Sequence, residues 1–438
     1  MKKPTPEILV VIVMVLLSAS TAWGQGNFKT LYTFTGVSDG DFPGAGVIFD
    51  QVGNLYGTAG QGGDGPCVGG CGLVYKLTPN MDGSWTKSAL YSFCSLTNCA
   101  DGFNPYAGLI FDQAGNLYGE TYAGGGSSGD GTVFELTPNA DGSWSEKVLH
   151  DFTGGADGSL PIGGLIFDRA GNLYGTTYGG SGYGVVFQLT PNATGSWTEN
   201  VLHTFPLNHR AGGAGPLGGV IFDQEGNLYG TTLFGGDSTC GDGAGCGVVF
   251  ELTPRTNGGW SEKVLHRFIN GAGGGFPGAA LILDQTGNLY GTTEEGGNLS
   301  QCSGEGDGCG VVFQLTPNAD GNWKEKVLHH FTGGKDGGLS FAGLIFDAVG
   351  NLYGTAAWGG NLNYCAGGGF SGGCGVVFKL VPNSNGEWDE MVLHRFIHHP
   401  GAHPVSNVIF DSAGNLYGTT QGDGETTFGS VFEITRWR

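Results

Sequence analysis

The segment Gly115-Asn116-Leu117-Tyr118-Gly119 occurs seven times in the chain. The copies begin at Gly53, Gly115, Gly171, Gly226, Gly287, Gly350 and Gly414, at intervals of 55 to 64 residues. A period of that size marks one supersecondary unit copied along the chain. One unit, residues 163–205, reads as four short β-like stretches: 164–168, 172–177, 184–189 and 197–205. Seven four-stranded units are expected to close into one ring. The fold class read here is all-β, a seven-bladed β-propeller.

The two ends of the chain support closure. Phe28-Lys29-Thr30-Leu31-Tyr32-Thr33-Phe34 matches residues 146–152, a fourth strand that lacks the first three. Gly429-Ser430-Val431-Phe432-Glu433-Ile434 is a third strand that lacks a fourth. Together they make one blade, so the N-terminal strand is expected to be the outermost strand of the last blade. Closure of that kind removes exposed sheet edges.

Composition agrees with a turn-rich β protein. Gly is 89 of 438 residues, while hydrophobic residues are 39% and aromatics 12%. That combination excludes both a collagen repeat and a disordered polar chain. At the N-terminus, Lys2 and Lys3 precede the apolar run 8–17, and small residues follow from Ser18 to Gly24. This is the pattern of a secretory signal peptide. The expected division is residues 1–24 as leader and 25–438 as propeller. Loss of Lys2, Lys3 and Glu7 with the leader takes the formal charge from −21 to −22. So acidic a chain is not expected to bind nucleic acid or an anionic membrane through electrostatics, and with no second long apolar run it is not expected to insert in a membrane after cleavage. The mature protein is expected to be a monomer that is secreted, periplasmic or at the cell surface.

The turns have their own chemistry. An Asp precedes every copy of the motif (Asp50, Asp112, Asp168, Asp223, Asp284, Asp347 and Asp411) and reads as a turn cap. His150, His203, His266, His329 and His394 recur in the fourth strand, with Tyr32 and Tyr91 in their place elsewhere. One per blade is too dispersed for a metal site, which needs converging ligands, so a structural role is expected. Trp85, Trp144, Trp197, Trp260, Trp323 and Trp388 open the same strand and are expected to pack over their own hairpin.

The ten cysteines fall into the close pairs Cys67/Cys71, Cys94/Cys99, Cys240/Cys246, Cys302/Cys309 and Cys365/Cys374. Four pairs lie between strands two and three. Those loops hold 12 to 18 residues, against 6 to 9 where cysteine is missing. Disulfides are therefore expected where a long loop needs a tie, in an oxidising compartment.

Strand alternation puts the one–two and three–four turns on one side of the ring. The two–three loops and the connections between blades lie on the other. Binding groups concentrate on variable loops held by a rigid scaffold. The candidate ligand-binding residues on that side are Tyr122, Tyr178, Tyr183, Phe234, Trp358, Tyr364 and Phe370, with Asp157 and Asp336. Further acids there are Asp39, Asp41, Asp130, Asp242, Glu305 and Asp307. No catalytic residue and no metal ligand set is assigned. No cofactor is expected, although Ser38-Asp39-Gly40-Asp41 could offer oxygen ligands to Ca²⁺.

The pattern Phe-Asp-x-x-Gly-Asn-Leu-Tyr-Gly-Thr-Thr, then Gly-Val-Val-Phe-x-Leu-Thr-Pro, resembles the GloVer tandem repeat of bacterial exported proteins. It is also similar to the propeller repeats of two-component sensor ectodomains. The resemblance implies a propeller in a surface or extracellular setting, with no established reaction. The function expected is a non-catalytic scaffold binding a glycan or an exported protein on the disulfide-tied face. A carbohydrate-active propeller enzyme, a glycosidase or lyase, is the alternative. Asp141-Gly142-Ser143-Trp144 departs from the sialidase Asp-box, and Arg267 and Arg395 fall on outer strands, away from any carboxylate-binding cluster.

Overall fold

The computed structural model describes residues 27–207, 210–299, 302, 308–365, 372–399, 401–422 and 428–435. The expected leader, Glu305, Asp307 and Phe370 lie outside the described residues. Seven antiparallel sheets follow one another along the chain, the first six with their four repeat strands in sequence order. The first comprises Ile48–Phe49, Leu55–Ala59, Leu73–Pro79 and Trp85–Ser92. In the last, Phe28–Thr33 pairs antiparallel with Ser430–Ile434, beyond Leu416–Thr420 and Ile409–Phe410. The ring is thus closed by its own N-terminus. The third blade carries one extra short strand, Ser159–Pro161, on Leu173–Gly179.

Every residue of the repeated motif has a visible cause. In the second blade, Gly115 turns the chain at φ 90°, a conformation that only glycine adopts without cost. Asn116 donates its backbone N–H to Asp112 Oδ1 at 2.8 Å and its amide to Oδ2 at 2.8 Å. Tyr118 donates its hydroxyl to the same Oδ2 at 3.3 Å. Leu117 is fully buried. At Gly119 an added Cβ would lie 2.5 Å from Phe134 Cζ, so the third strand's ring occupies the space of a side chain. The Asp–Asn–Tyr network recurs in all seven blades, from Asp50 to Asp411.

Blades meet through aromatic pairs. The last Phe of each outer strand inserts edge-on against the third-strand ring of the next blade. Phe93–Phe134, Phe152–Phe187, Phe205–Phe250, Phe268–Phe313, Phe331–Phe378 and Phe396–Phe432 have centroids 5.0–5.3 Å apart. Phe34–Tyr75 completes the set at 5.1 Å. Such pairs contribute about 0.5–1.5 kcal/mol each beyond their buried area. The tryptophans also span seams rather than covering their own hairpins. Trp144 packs on Tyr56 of the preceding blade at 6.3 Å, and Trp197 on Tyr118 at 6.3 Å. A large ring at the strand's start reaches across because its own hairpin tip is narrow and solvent-exposed.

The innermost strands are shorter than the sequence suggests, two paired residues each. Near the axis neighbouring backbones approach closely. A Cβ on Gly219 would lie 2.5 Å from Gly163 O, and one on Gly46 would lie 2.9 Å from Asn407 O. This segment therefore packs sideways on the next blade instead of continuing its ladder.

A latch joins each blade to the next on the long-loop side. A residue in the left-handed region precedes proline: Phe42, Asn104, Leu160, Phe276 and His403, with φ 55–58°. Gly215 (φ 63°) and Leu339 (φ 55°) hold the equivalent places. Their N–H groups reach the carbonyl just ahead of strand three in the preceding blade. Asn104 bonds Cys71 O at 2.8 Å, Gly215 bonds Tyr183 O at 2.7 Å and Phe276 bonds Cys246 O at 2.8 Å. Leu339 bonds Cys309 O and His403 bonds Cys374 O, each at 2.9 Å. The proline ring then lies against the glycine opening strand three. A Cβ on Gly247 would stand 2.5 Å from Pro277 Cδ and would collide with the Thr232 carbonyl.

The outer-strand histidines are partly buried in the seams; His150, His203 and His266 face a glutamate of the next blade, whereas His394 stacks on Phe28. His203 Nε2 lies 3.8 Å from Glu262 Oε2, and His266 Nε2 lies 3.8 Å from Glu325 Oε1. His150 stands 4.0 Å from Glu199 and 3.7 Å from Asp157. Burial lifts the carboxyls of Glu199, Glu262, Glu325 and Glu390 to about 7 and that of Glu146 to about 8. It lowers His203, His266 and His394 to about 4.

These seams are open to test. Gly247→Ala should cost on the order of 2–3 kcal/mol, from the left-handed backbone and the proline collision together, measured by chemical denaturation. A glutamate whose pKa rises on folding stabilises the fold only while protonated, and that contribution is lost as pH rises through 7 to 8. A histidine whose pKa falls contributes above 6.5, a contribution lost as pH falls through 4. The five glutamates outnumber the three histidines, so calorimetry should find Tm falling as pH rises from about 5 to 8, and Glu262→Gln should flatten that fall.

Candidate functional site

The latch sets which side chains surround the axis on the long-loop face. Of the residues that follow the prolines, Gly44, Tyr106, Ile162 and Val405 line the axial cavity, while Leu217 lies against Gly278. That cavity, of about 340 Å³, is also walled by Ile48, Ile110, Ile166, Ile221, Ile409 and inner-strand glycines. A second set of positions lies three residues after the motif's second glycine: Gly60, Tyr122, Tyr178, Leu233, Glu294, Ala357 and Gln421. These positions differ in every blade but the two that carry tyrosine.

The tyrosines form an arc. Tyr106 lies over Gly60, its ring filling the space a Cβ there would need. Its centroid is 5.8 Å from that of Tyr122, at an interplanar angle of 64°. Tyr178 is close enough to Tyr122 and Glu294 for both to raise its phenol pKa, after burial. Glu294 Oε1 abuts Gly278, next to Leu217. Burial, and then the charge of Glu295, push the Glu294 carboxyl up to about 8. At the other end of the arc, Asp41 is lifted by burial to about 6 and accepts the Phe42 N–H at 2.7 Å.

A second carboxyl breaks a repeated bond. In six blades a buried threonine donates its hydroxyl to an inner-strand carbonyl of the next blade. Thr58 reaches Ala107 O at 3.0 Å, Thr231 reaches Ala279 O at 2.9 Å and Thr419 reaches Ala45 O at 2.9 Å. Blade two has Glu120 instead. Glu120 Oε2 accepts the Gly164 N–H at 2.9 Å, and Oε1 is buried without a hydrogen-bond partner. Burial raises this carboxyl to about 8, so it is protonated at neutral pH.

The structure distributes the residues singled out from sequence over several places. Tyr122 and Tyr178 meet at the axial mouth. Tyr183 serves the latch through its carbonyl. Phe234 packs edge-on to Phe276 at 5.9 Å. Trp358 lies against His403 at 4.4 Å, and Tyr364 is 42% exposed on its loop. Asp157 and Asp336 sit at the outer seams beside His150 and His329, capping Thr153 and Thr332. Tyr106, Glu120 and Glu294 escaped the reading. Only Glu120 had a sequence signal: it replaces the first Thr of the Gly-Thr-Thr that ends the motif.

The expected cysteine pairs Cys67–Cys71, Cys94–Cys99, Cys240–Cys246, Cys302–Cys309 and Cys365–Cys374 are all disulfide-bonded. They lie deeper than the loops they tie. The second cysteine of four pairs, namely Cys71, Cys246, Cys309 and Cys374, is fully buried. Each belongs to the apolar core of a seam. The physical reason is the latch, which takes the carbonyl of that same cysteine and covers it with the next blade. These four sulfurs therefore anchor the loops to the core and offer no surface to a ligand.

In the segment weighed for Ca²⁺, Asp39 accepts from the Tyr32 hydroxyl at 2.6 Å and pairs with Lys87 at 3.1 Å. Its oxygens serve the seam. Larger grooves lie on the short-turn face. One of about 580 Å³ lies between blades six and seven, lined by Tyr353, Lys379, Phe410 and Ile434. The equivalent place in the other seams takes a tryptophan, and among the described residues this seam has Phe28 without one. That groove is a gap left by the repeat, whereas the axial mouth is built from residues that vary between blades. Among the described residues, no helix is long and apolar enough to cross a membrane.

The molecule is a disulfide-bonded, seven-bladed propeller closed by its own first strand. Models of the Gloeobacter/Verrucomicrobia repeat match residues 18–181, 65–302, 179–366 and 301–437, and the chain belongs to that family. Among solved structures it is similar to PorZ of Porphyromonas gingivalis, an essential bacterial surface component of the type-IX secretion system. That similarity has 15% identity and a TM-score of 0.48, over 92% of this chain and 48% of PorZ. The chain therefore spans about half of PorZ. No curated protein matches it.

Glu120→Thr should restore the hydroxyl bond that the other blades make and remove a buried carboxyl. The expected result is a gain of about 1–2 kcal/mol, seen as a higher Tm whose margin grows as pH rises from about 4.5 to 8 and is constant beyond.

Proposed function

We propose that this protein is an exported, non-catalytic binding scaffold that seats a glycan or protein ligand in the axial mouth of its long-loop face. The observation that carries this reading is the arc of Tyr106, Tyr122 and Tyr178, contributed by two neighbouring blades over an apolar channel. Partly buried aromatics around a concave mouth, with few polar groups, suit a ligand that offers flat apolar faces and hydroxyls. The opposite face shows seven copies of one turn, and identical turns give no discrimination. The disulfides fit an oxidising compartment outside the cytoplasm.

The carboxyls near the mouth, Asp41 and Glu294, keep the carbohydrate-active alternative in view, since glycoside hydrolysis uses two carboxyls about 5–10 Å apart. The two readings separate on one experiment. Mature protein is screened on a glycan array and incubated with the oligosaccharides it retains, followed by product analysis. The scaffold reading expects retention without product, weakened at least about tenfold by Tyr122→Ala with Tyr178→Ala. Released product would replace it with the enzyme.

A further inference from the structure

We propose that the axial mouth recognises an organic ammonium group, with Tyr106, Tyr122 and Tyr178 as its aromatic wall and Glu294 as the counter-charge. This rests on the axial mouth being the ligand site. Aromatic faces attract a cation within about 6 Å by about 0.5–2 kcal/mol, most strongly where water is displaced. Here two tyrosine rings stand 5.8 Å apart and steeply inclined, and a third follows on the next blade. Rings set at an angle can present faces and edges around one small group.

The carboxylate selects the sign of that group. Glu294 is partly buried; its N–H bonds Phe276 O at 3.1 Å, while its carboxyl makes no hydrogen bond or ion pair among the described residues. The groups around it are the like-charged Glu295 on its own loop, the Tyr178 phenol from blade three, and Leu217 and Gly278 from the neighbouring connections. A neutral sugar would satisfy the tyrosines and leave this acid protonated. An anion would meet Glu294, Glu295 and a chain of formal charge −21. An ammonium group satisfies both rings and acid, and it draws the proton off Glu294 as it binds. Affinity should therefore rise with pH up to about 8, where the free carboxyl ionises.

The test uses the mature protein with choline and with its uncharged isostere, 3,3-dimethyl-1-butanol. Calorimetric titration is done at pH 6 and 8, in buffers of different ionisation enthalpy. The expected result is choline binding at least about tenfold tighter than the isostere, tightening from pH 6 to 8 with proton release. Glu294→Gln, its fold checked by Tm, should lose the preference and the pH dependence together, while Tyr122→Ala weakens choline at both pH values. Equal affinity for the two compounds, no choline binding, or choline binding unchanged in Glu294→Gln would each overturn the proposal. Retention of neutral glycans by Glu294→Gln in the array screen would overturn it while leaving the scaffold reading intact.

Discussion

A four-stranded blade has two apolar faces and can hide neither alone, so the structure depends on how one blade covers the next. The interaction that does this is a ring packed edge-on against a ring, seven times around the axis. It explains features that are remote in sequence. The second glycine of the motif exists because the third-strand phenylalanine occupies its side-chain space. The Phe that ends each outer strand exists because the next blade lacks a lid. Remove one member and two blades lose their contact, since each seam borrows from both neighbours.

The same seams hold groups that water would normally claim. Histidine and glutamate face each other across several seams, in surroundings that disfavour charge on either. A buried pair of this kind contributes little net stability compared with apolar packing. Its effect is to make the fold sensitive to proton activity on both sides of neutrality. On the long-loop side the backbone itself carries strain, because residues as bulky as Phe42, Leu160 and Phe276 sit in a left-handed conformation. That strain is offset by the inter-blade hydrogen bond and the proline–glycine contact. The result is a rigid rim on which the neighbouring positions are free to vary.

The architecture was legible because its causes are local and repeated. Seven copies of one turn, together with a divided blade, determine strand number, order and closure without reference to any distant contact. The disulfide pairs were equally readable, since each closes a short loop. Their depth was not: Cys309 and Cys374 are covered by a connection from the next blade, which spacing along the chain does not reveal. The binding mouth was less legible still. Tyr122 and Tyr178 could be named as loop aromatics, but nothing in the sequence brings Tyr106 or Glu294 to them. Those residues meet through the curvature of the ring, which places unrelated connections around one axis. Asp157 and Asp336 belong to the same loops yet turn outward, because their carboxylates cap the backbone beside the outer strands. The histidines looked isolated for a related reason: their partners come from the next repeat, about sixty residues away.

The closure has a consequence for how the chain is judged after synthesis. Asn27 accepts a hydrogen bond from Thr435, 408 residues distant, and residues 28–33 have a ladder only when residues 430–434 have arrived. Until then the first strand has no sheet, and the final blade has an open edge. A truncated chain keeps that edge, a ready substrate for proteases and for aggregation. The ring thus acts as a length check. Only a chain in which residues 28–33 and residues 430–434 are both in place closes that edge.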